Sequence, residues 1–290
     1  MIDKSGEHGL KIFWQFESLQ ELFDLKLSEP NKYHDSAFLL TKSGKEAEAQ
    51  DILAREGFRG GFHSSKDFVE FINRGWSEGA WRMREAMDAI AINGVRSIRR
   101  RQIWTDQGDE IDIGRVYNGQ LDQAWRGMVR RLGAGGQTHV RILTHVGALG
   151  EVRHEDFLWR GAVACLLTDA LEEAGYRVEL MGYTNANGVF DNQKNGSAAA
   201  LFPIKGYDEA LDIERVAAVT GHAGFHRTVV FGFRMATPYK TSTGFGYSIT
   251  EGRPAFAQDD DIVVDDVWNA GSANAQLSRL AQQFEAASAT

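Results

Sequence analysis

The sequence predicts an α/β protein in which a doubly wound, mostly parallel sheet over residues 137–290 follows a smaller helical region with a β-hairpin over residues 1–136. Three observations carry this. Residues 139–183 read as strand, long amphipathic helix, glycine and strand, the order that crosses over into a parallel sheet. Residues 97–117 alternate apolar and polar side chains on either side of Gln107-Gly108-Asp109. Residues 64–90 show helical spacing interrupted at Gly75.

In chain order, residues 1–12 read as a polar tail. Ser18-Leu19-Gln20-Glu21 has capping-box spacing and predicts a short helix with Leu19, Leu22 and Phe23 inward. Residues 43–56, rich in Lys, Glu and Ala, predict a surface helix stopped by Gly57. Ser64 or Ser65 caps a helix with Phe68, Phe71 and Ile72 on one face. A second helix after Gly75 turns Trp81, Met83, Met87 and Ile90 inward. The hairpin pairs Ser97–Asp106 with Glu110–Tyr117.

The second half begins with a β-prone run, His139–Val146. In Glu155–Ala174, the residues Val163, Leu166, Leu167, Ala170, Leu171 and Ala174 recur at three- and four-residue spacing. Gly175 stops this helix and Arg177–Tyr183 is the next strand. Further strands are expected at Ala200–Ile204, Thr228–Phe233 and Asp261–Val267, with helices at Ile213–Val219 and Ser272–Ala286. Residues 184–198 and 237–258 are expected as long exposed loops.

The totals exclude several classes. At 43% hydrophobic and 25% charged, 290 residues can bury a sizeable core. A net charge of −8 disfavours a generic duplex-binding surface. The single Cys165 has no intramolecular partner, which suits a reducing compartment. The opening MIDKSGEHGLK carries charge where a signal peptide needs an apolar run, and no stretch is apolar enough to span a bilayer. A cytoplasmic protein is expected.

The segments HVRILTHVGALG and LTDALEEAGYRVELMGY resemble the opening strand, first helix and second strand of von Willebrand factor A domains. DIVVDDVWNAGSANAQLSRLAQQF is similar to the late strand and last helix of that fold, so the resemblance covers residues 137–288. The front half, with GFHSSKDFVEFINRGWSEGAWRMREAM and DIGRVYNGQLDQAW, resembles an uncharacterised family of bacteriophage and actinobacterial genomes. The A-domain metal site needs Asp-x-Ser-x-Ser after the first strand. The matching positions here read Thr144-His145-Val146-Gly147-Ala148, so the motif is degenerate and no metal or other cofactor is expected. The resemblance implies a protein-docking role, with MoxR-type AAA+ ATPases as the implied partner class.

Residues that carry chemistry are few. His222 and His226 are spaced as a helical metal pair, but the HExxH glutamate is missing and Gly221 and Gly224 weaken a helix, so packing histidines compete. His154 with Glu155 and Asp156 offers an acid–base or cation-binding set, against the plain reading of carboxylates at a helix N-terminus. Asp259, Asp260, Asp261, Asp265 and Asp266 are dense but lack EF-hand spacing. Cys165 has helical, apolar surroundings that suit the core better than a nucleophile.

The leading expectation is therefore a non-enzymatic interaction module. Its contact surface would lie at the carboxyl end of the first strand and the following loops, with Thr144, His145, His154, Asn185 and Asn187. The alternative is a nucleic-acid accessory protein that grips single strands through Arg99, Arg100, Arg101 and Trp104. Arg96, Arg126, Arg130, Arg131 and Trp125 lie nearby in sequence, while Glu110 and Asp112 would offset this charge. A hydrolase built on His154, or on His222 with His226, is the third reading.

Overall fold

The computed structural model describes residues 1–10, 12–24, 65–90, 101–105, 110–129, 139–147, 154–173, 175–190, 193–230, 233, 253–264 and 267–288. The helix expected at 43–56, Arg99, Arg100, the 107–109 turn, Asp265, Asp266 and most of the 237–258 loop lie outside these residues.

The chain opens with β1 (Ile2–Asp3), a short 3-10 turn and β2 (Ile12–Gln15). The helices α1 (Leu19–Asp24), α2 (Ser65–Arg74) and α3 (Ser77–Ala89) follow. Next come β3 (Arg101–Thr105), β4 (Glu110–Ile111), α4 (Ile113–Tyr117) and β5 (Trp125–Val129). The second half runs through β6 (His139–His145), α5 (Leu158–Glu173), β7 (Arg177–Phe190) and β8 (Gln193–Lys205). It continues with α6 (Ile213–Val216), α7 (Ala223–Phe225), β9 (Ile262–Val264) and α8 (Ala270–Ser288).

Strands β1-β2-β8-β7-β6-β9 form one six-stranded sheet in that order. The sheet is mixed: β2–β8, β6–β7 and β6–β9 pair parallel, while β1–β2 and β7–β8 pair antiparallel. The α/β class therefore holds, in a mixed sheet in which three of the five pairings are parallel. The antiparallel β7–β8 pairing takes in residues 184–190 and 193–198, which form a ribbon instead of the expected loop. Its register runs from Thr184↔Ala200 through Ala186↔Ala198 to Gly188↔Gly196.

The N-terminal segment is likewise strand, not tail. Leu10, Ile12 and Phe13 are buried, and Ile12 lies beside Ala198 in the sheet. Half of the capping box at Ser18 forms as expected, the Glu21 N–H donating to Ser18 Oγ at 3.2 Å, while Glu21 Oε2 reaches one residue further back and accepts from the Glu17 N–H at 2.8 Å.

Strand side chains alternate between two apolar layers. Ile142, Leu180, Phe202, Ile204 and Val264 join the large layer, whereas Leu143, Met181, Tyr183, Leu201 and Val263 join a small one. Side chains from α1, α2, α3, α5 and α8 all enter the large layer. Among the described residues, the small layer is completed by Leu10, Ala257 and Phe256, whose ring stacks on Phe13 at 5.0 Å. The large layer takes side chains from both sides of the 136/137 division: Leu22, Phe68 and Met83 pack in it beside Val163 and Leu171.

The unit β6–α5–β7 matches the sequence closely. Gly175, with φ of 93°, ends α5 in the left-handed conformation. There the Tyr176 N–H reaches back to the Leu171 carbonyl at 3.0 Å, satisfying a helix-end acceptor. Helix α5 also needs Gly161, because a Cβ there would stand 2.2 Å from Thr220 Oγ1 and 2.4 Å from the Met83 methyl. Buried Cys165 lies in the same helix contact, its Sγ 3.8 Å from the Met83 sulfur, and burial pushes its thiol far up.

The strand expected at Thr228–Phe233 is helical over the described residues: residues 217–221 and 226–230 both form wide π turns. Phe225, Val229 and Phe233, four apart, all enter the large layer, a helical stripe that the β-branched composition disguised. The small sheet also differs from expectation. Its order is β3-β5-β4, so Arg101–Thr105 and Glu110–Ile111 do not pair with each other but flank Trp125–Val129. Residues 113–117 form α4, capped by Asp112, whose carboxylate accepts from the Arg115 N–H at 3.2 Å.

Candidate functional site

The carboxyl ends of β6 and β9 converge on one buried cation. Arg160, in the first turn of α5, is 1% exposed. Its Nη1 donates to the His145 carbonyl at 2.6 Å and lies 2.9 Å from His145 Nδ1, and Nη2 donates to the Gly147 carbonyl at 2.6 Å. A guanidinium only donates, so Nδ1 is the acceptor and a neutral His145 carries its proton on Nε2. The guanidinium carbon stands 4.1 Å from the Trp268 ring centroid, on the chain that leaves β9. Phe157 packs edge-on to Trp268 at 6.4 Å and beside His226 at 6.2 Å. One arginine thus ties the end of β6, the start of α5 and the segment after β9 into a fixed edge.

Sequence reading missed Arg160 and Trp268. The signal was present: Arg160 stands three, four and seven residues before Val163, Ala164 and Leu167, on the buried stripe of α5.

Thr144 and His145, expected as contact residues, are 0% and 1% exposed. They shape the edge from inside and offer no surface in this conformation. Thr144 lies between Gly182 of β7 and Val264 of β9, and the His145 ring stands 5.0 Å from that of Tyr183. His154 begins a 3-10 turn that leads into α5. Asn185 and Asn187 lie on β7 beyond the end of β6. Among the described residues, Thr144 Oγ1, Thr184 Oγ1 and Asn185 Oδ1 are buried with no hydrogen-bond partner.

His222 and His226 do not converge. His222 caps α7, its Nδ1 accepting from the Gly224 N–H at 3.0 Å, and its ring lies 5.0 Å from Phe71 and 4.8 Å from Trp76. Burial there pushes its imidazole down to about 4. His226 instead sits against Phe157. Among the described residues, no group of three His, Cys, Asp or Glu side chains is arranged to hold a metal ion, and no helix is long and apolar enough to cross a membrane.

The aspartate run divides in a similar way. Asp259 and Asp260 are exposed, whereas Asp261 is buried and bridged by Arg141 of β6 through two 2.7 Å bonds. This carboxylate also accepts from the Gln258 N–H at 2.8 Å, and Arg253 donates to the Asp261 carbonyl at 3.1 Å. Asp261 thereby anchors the approach to β9. Nearby, burial raises the Glu179 carboxyl above its ordinary range, and Arg141 and a hydrogen bond from Tyr207 oppose that rise.

In the small sheet, Arg101 lies opposite Val129 and Trp104 opposite Arg126. Arg101 and Trp104 stand three positions apart on β3. In backbone register Arg126 is paired with Trp104 on one side and with Glu110 on the other. The same lobe carries large apolar residues on its surface: Ile111, Ile113, Tyr117 and Leu121 are 43%, 62%, 86% and 63% exposed.

No curated protein and no solved structure gives a match to this chain. A family model covers residues 8–288, from β2 through α8, and by that match the chain belongs to the family described as Domain of unknown function (DUF7192).

Proposed function

We propose that this chain is a non-enzymatic, phage-type protein-docking module that works in the cytoplasm beside an AAA+ ATPase of the MoxR class. The observation that carries the reading is the strip Ile111, Ile113, Tyr117 and Leu121. Four of the seven exposed large hydrophobics among the described residues fall within it. Apolar surface concentrated in this way marks protein contact, while single exposed apolar side chains need no explanation. The von Willebrand factor A likeness of residues 137–288 supports it further, because β6, α5, β7, β9 and α8 follow one another in the order that the likeness implies. The carboxyl edge would contribute shape, with Thr144 and His145 inside it and His154, Asn185 and Asn187 around it.

The test is affinity capture from nuclease-treated host lysate with the wild-type chain and with the double variant Ile113→Glu, Tyr117→Glu. The expected result is a protein partner, an ATPase, held by the wild type and lost by the variant. Equal capture by both, or capture by neither, rejects the reading.

Single-stranded nucleic acid is the second reading, favoured by the Trp104–Arg126 pairing and opposed by Glu110 beside it. It requires oligonucleotide binding that weakens steeply with added salt. An absence of binding at low salt removes it.

A further inference from the structure

The edge of β7 beyond the end of β6 has a specific character. Strand β6 stops at His145, opposite Tyr183, and the last bond on that side runs from the Val146 N–H to the Tyr183 carbonyl at 2.9 Å. Along a strand, the peptide groups of alternate residues turn the same way. Those of Asn185, Asn187 and Val189 therefore face the side where β6 has ended, and those of Thr184, Ala186 and Gly188 face β8. Among the described residues no strand pairs with that stretch.

The bulge near the tip leaves this edge regular. Gly188 pairs with Gly196 and Phe190 with Gln193, so the extra residue lies in β8. From Thr184 to Phe190 the edge carries no charged residue and no proline, the usual guards of an open strand. The other edges of the sheet are blunted: β1 has two residues, and the Val263 carbonyl of β9 already accepts from Gln276 Nε2 at 2.7 Å.

We propose that two copies of this chain form a twofold dimer by antiparallel pairing of their Asn185–Val189 edges. The three outward-facing residues are symmetric about Asn187. Asn185 would pair with Val189, Asn187 with Asn187, and Val189 with Asn185, each pair exchanging two N–H···O bonds as an isologous interface requires. The uncharged edge lets two copies meet without local repulsion, although each carries a net charge of −8. The pairing also relieves a weakness, because a two-stranded ribbon projecting alone is marginally stable. The two ribbons would become one four-stranded sheet.

The test is sedimentation velocity of the full chain across a micromolar series. The wild type is expected to pass from monomer to dimer. Asn187→Pro removes one outward N–H and leaves the bonds to β8 intact, so it should stay monomeric, as should Asn187→Lys. Asn187→Cys should form a disulfide-linked dimer on oxidation, because facing Cα atoms in such a pair stand about 5.5 Å apart. Cys165 is buried and does not compete. The strip variant Ile113→Glu, Tyr117→Glu should dimerise normally, which separates this proposal from the docking reading. A wild type that remains monomeric overturns the dimer, including the case of an edge reserved for a foreign strand. So does a dimer that survives both Asn187→Pro and Asn187→Lys.

Discussion

The Arg160 guanidinium holds His145 twice, through its carbonyl at 2.6 Å and its ring Nδ1 at 2.9 Å, within an interior that excludes solvent. Replacing Arg160 with Met keeps most of the volume but strands the His145 and Gly147 carbonyls. Each buried unsatisfied acceptor costs about 1–3 kcal/mol. R160M should therefore lower unfolding stability by roughly 3 kcal/mol, read from the urea midpoint. A cycle with Trp268→Leu should show a coupling of about 2 kcal/mol, as a desolvated cation over an indole implies. Additive losses would mean that the Trp268 ring only fills space.

Arg141 and Asp261 make a different kind of joint, a bidentate ion pair whose carboxylate side chain is 2% exposed. Hydrogen bonding to Asp261 raises the Arg141 pKa against the opposing effect of burial. Asp261→Asn leaves the half-buried Arg141 guanidinium without its carboxylate, so it should cost about 1.5–3 kcal/mol. The double change Arg141→Met, Asp261→Leu should recover much of that loss, because an apolar pair of similar volume carries no desolvation penalty. Thermal melts of the three variants decide it: a double variant no better than Asp261→Asn would show that Asp261 acts mainly through the Gln258 N–H.

The parts of the fold that were legible in sequence are those where local pattern and tertiary demand agree. Helix α5, its Gly175 stop and the parallel pair that it joins were readable because burial repeats at helical spacing. The ribbon over 184–198 was not, since Asn and Gly have low strand propensity and only long-range pairing with Ala198 and Ala200 makes Ala186 and Thr184 extended. Strand β2 was hidden for a related reason: four residues without a neighbouring helix acquire meaning only beside β8. At the candidate site, proximity to a strand end suggested Thr144 and His145 as surface residues, but register and covering helices put them inside. Arg160 went unnoticed because charge alone suggested solvent.

His222 supplies a pH prediction. Its folded-state value of about 4 lies below the ordinary 6.5, so between these values the unfolded chain binds a proton that the folded protein rejects. Its contribution is complete above pH 6.5, declines as pH falls through this window and levels off below about 4. The slope is at most about 1.4 kcal/mol per pH unit. Glu179 and Asp169, raised mainly by burial, work in the opposite sense and favour the folded state at acid pH. The difference between wild type and His222→Asn isolates the imidazole, since Asn retains an oxygen to cap the Gly224 N–H. Urea unfolding at pH 7 and pH 5 should show the wild type losing more stability than the variant, and parallel losses would contradict the buried, neutral ring.

Gln276 tests how the sheet ends. Its Nε2 donates to the Val263 carbonyl on β9, the outermost strand beside β6, and the side chain is buried under α8. Gln276→Leu conserves size and keeps α8 helical but leaves that carbonyl unsatisfied, at a cost of about 1–3 kcal/mol. The second effect concerns association. An unguarded β9 offers a strand edge that other chains can extend. The variant should therefore both melt earlier and form higher-order species on incubation below its melting point, seen by light scattering. The Asn187→Pro change should not suppress those species, because they would grow from β9 and not from the β7 ribbon. Earlier melting without association would show that α8 still shields the edge after the hydrogen bond is lost.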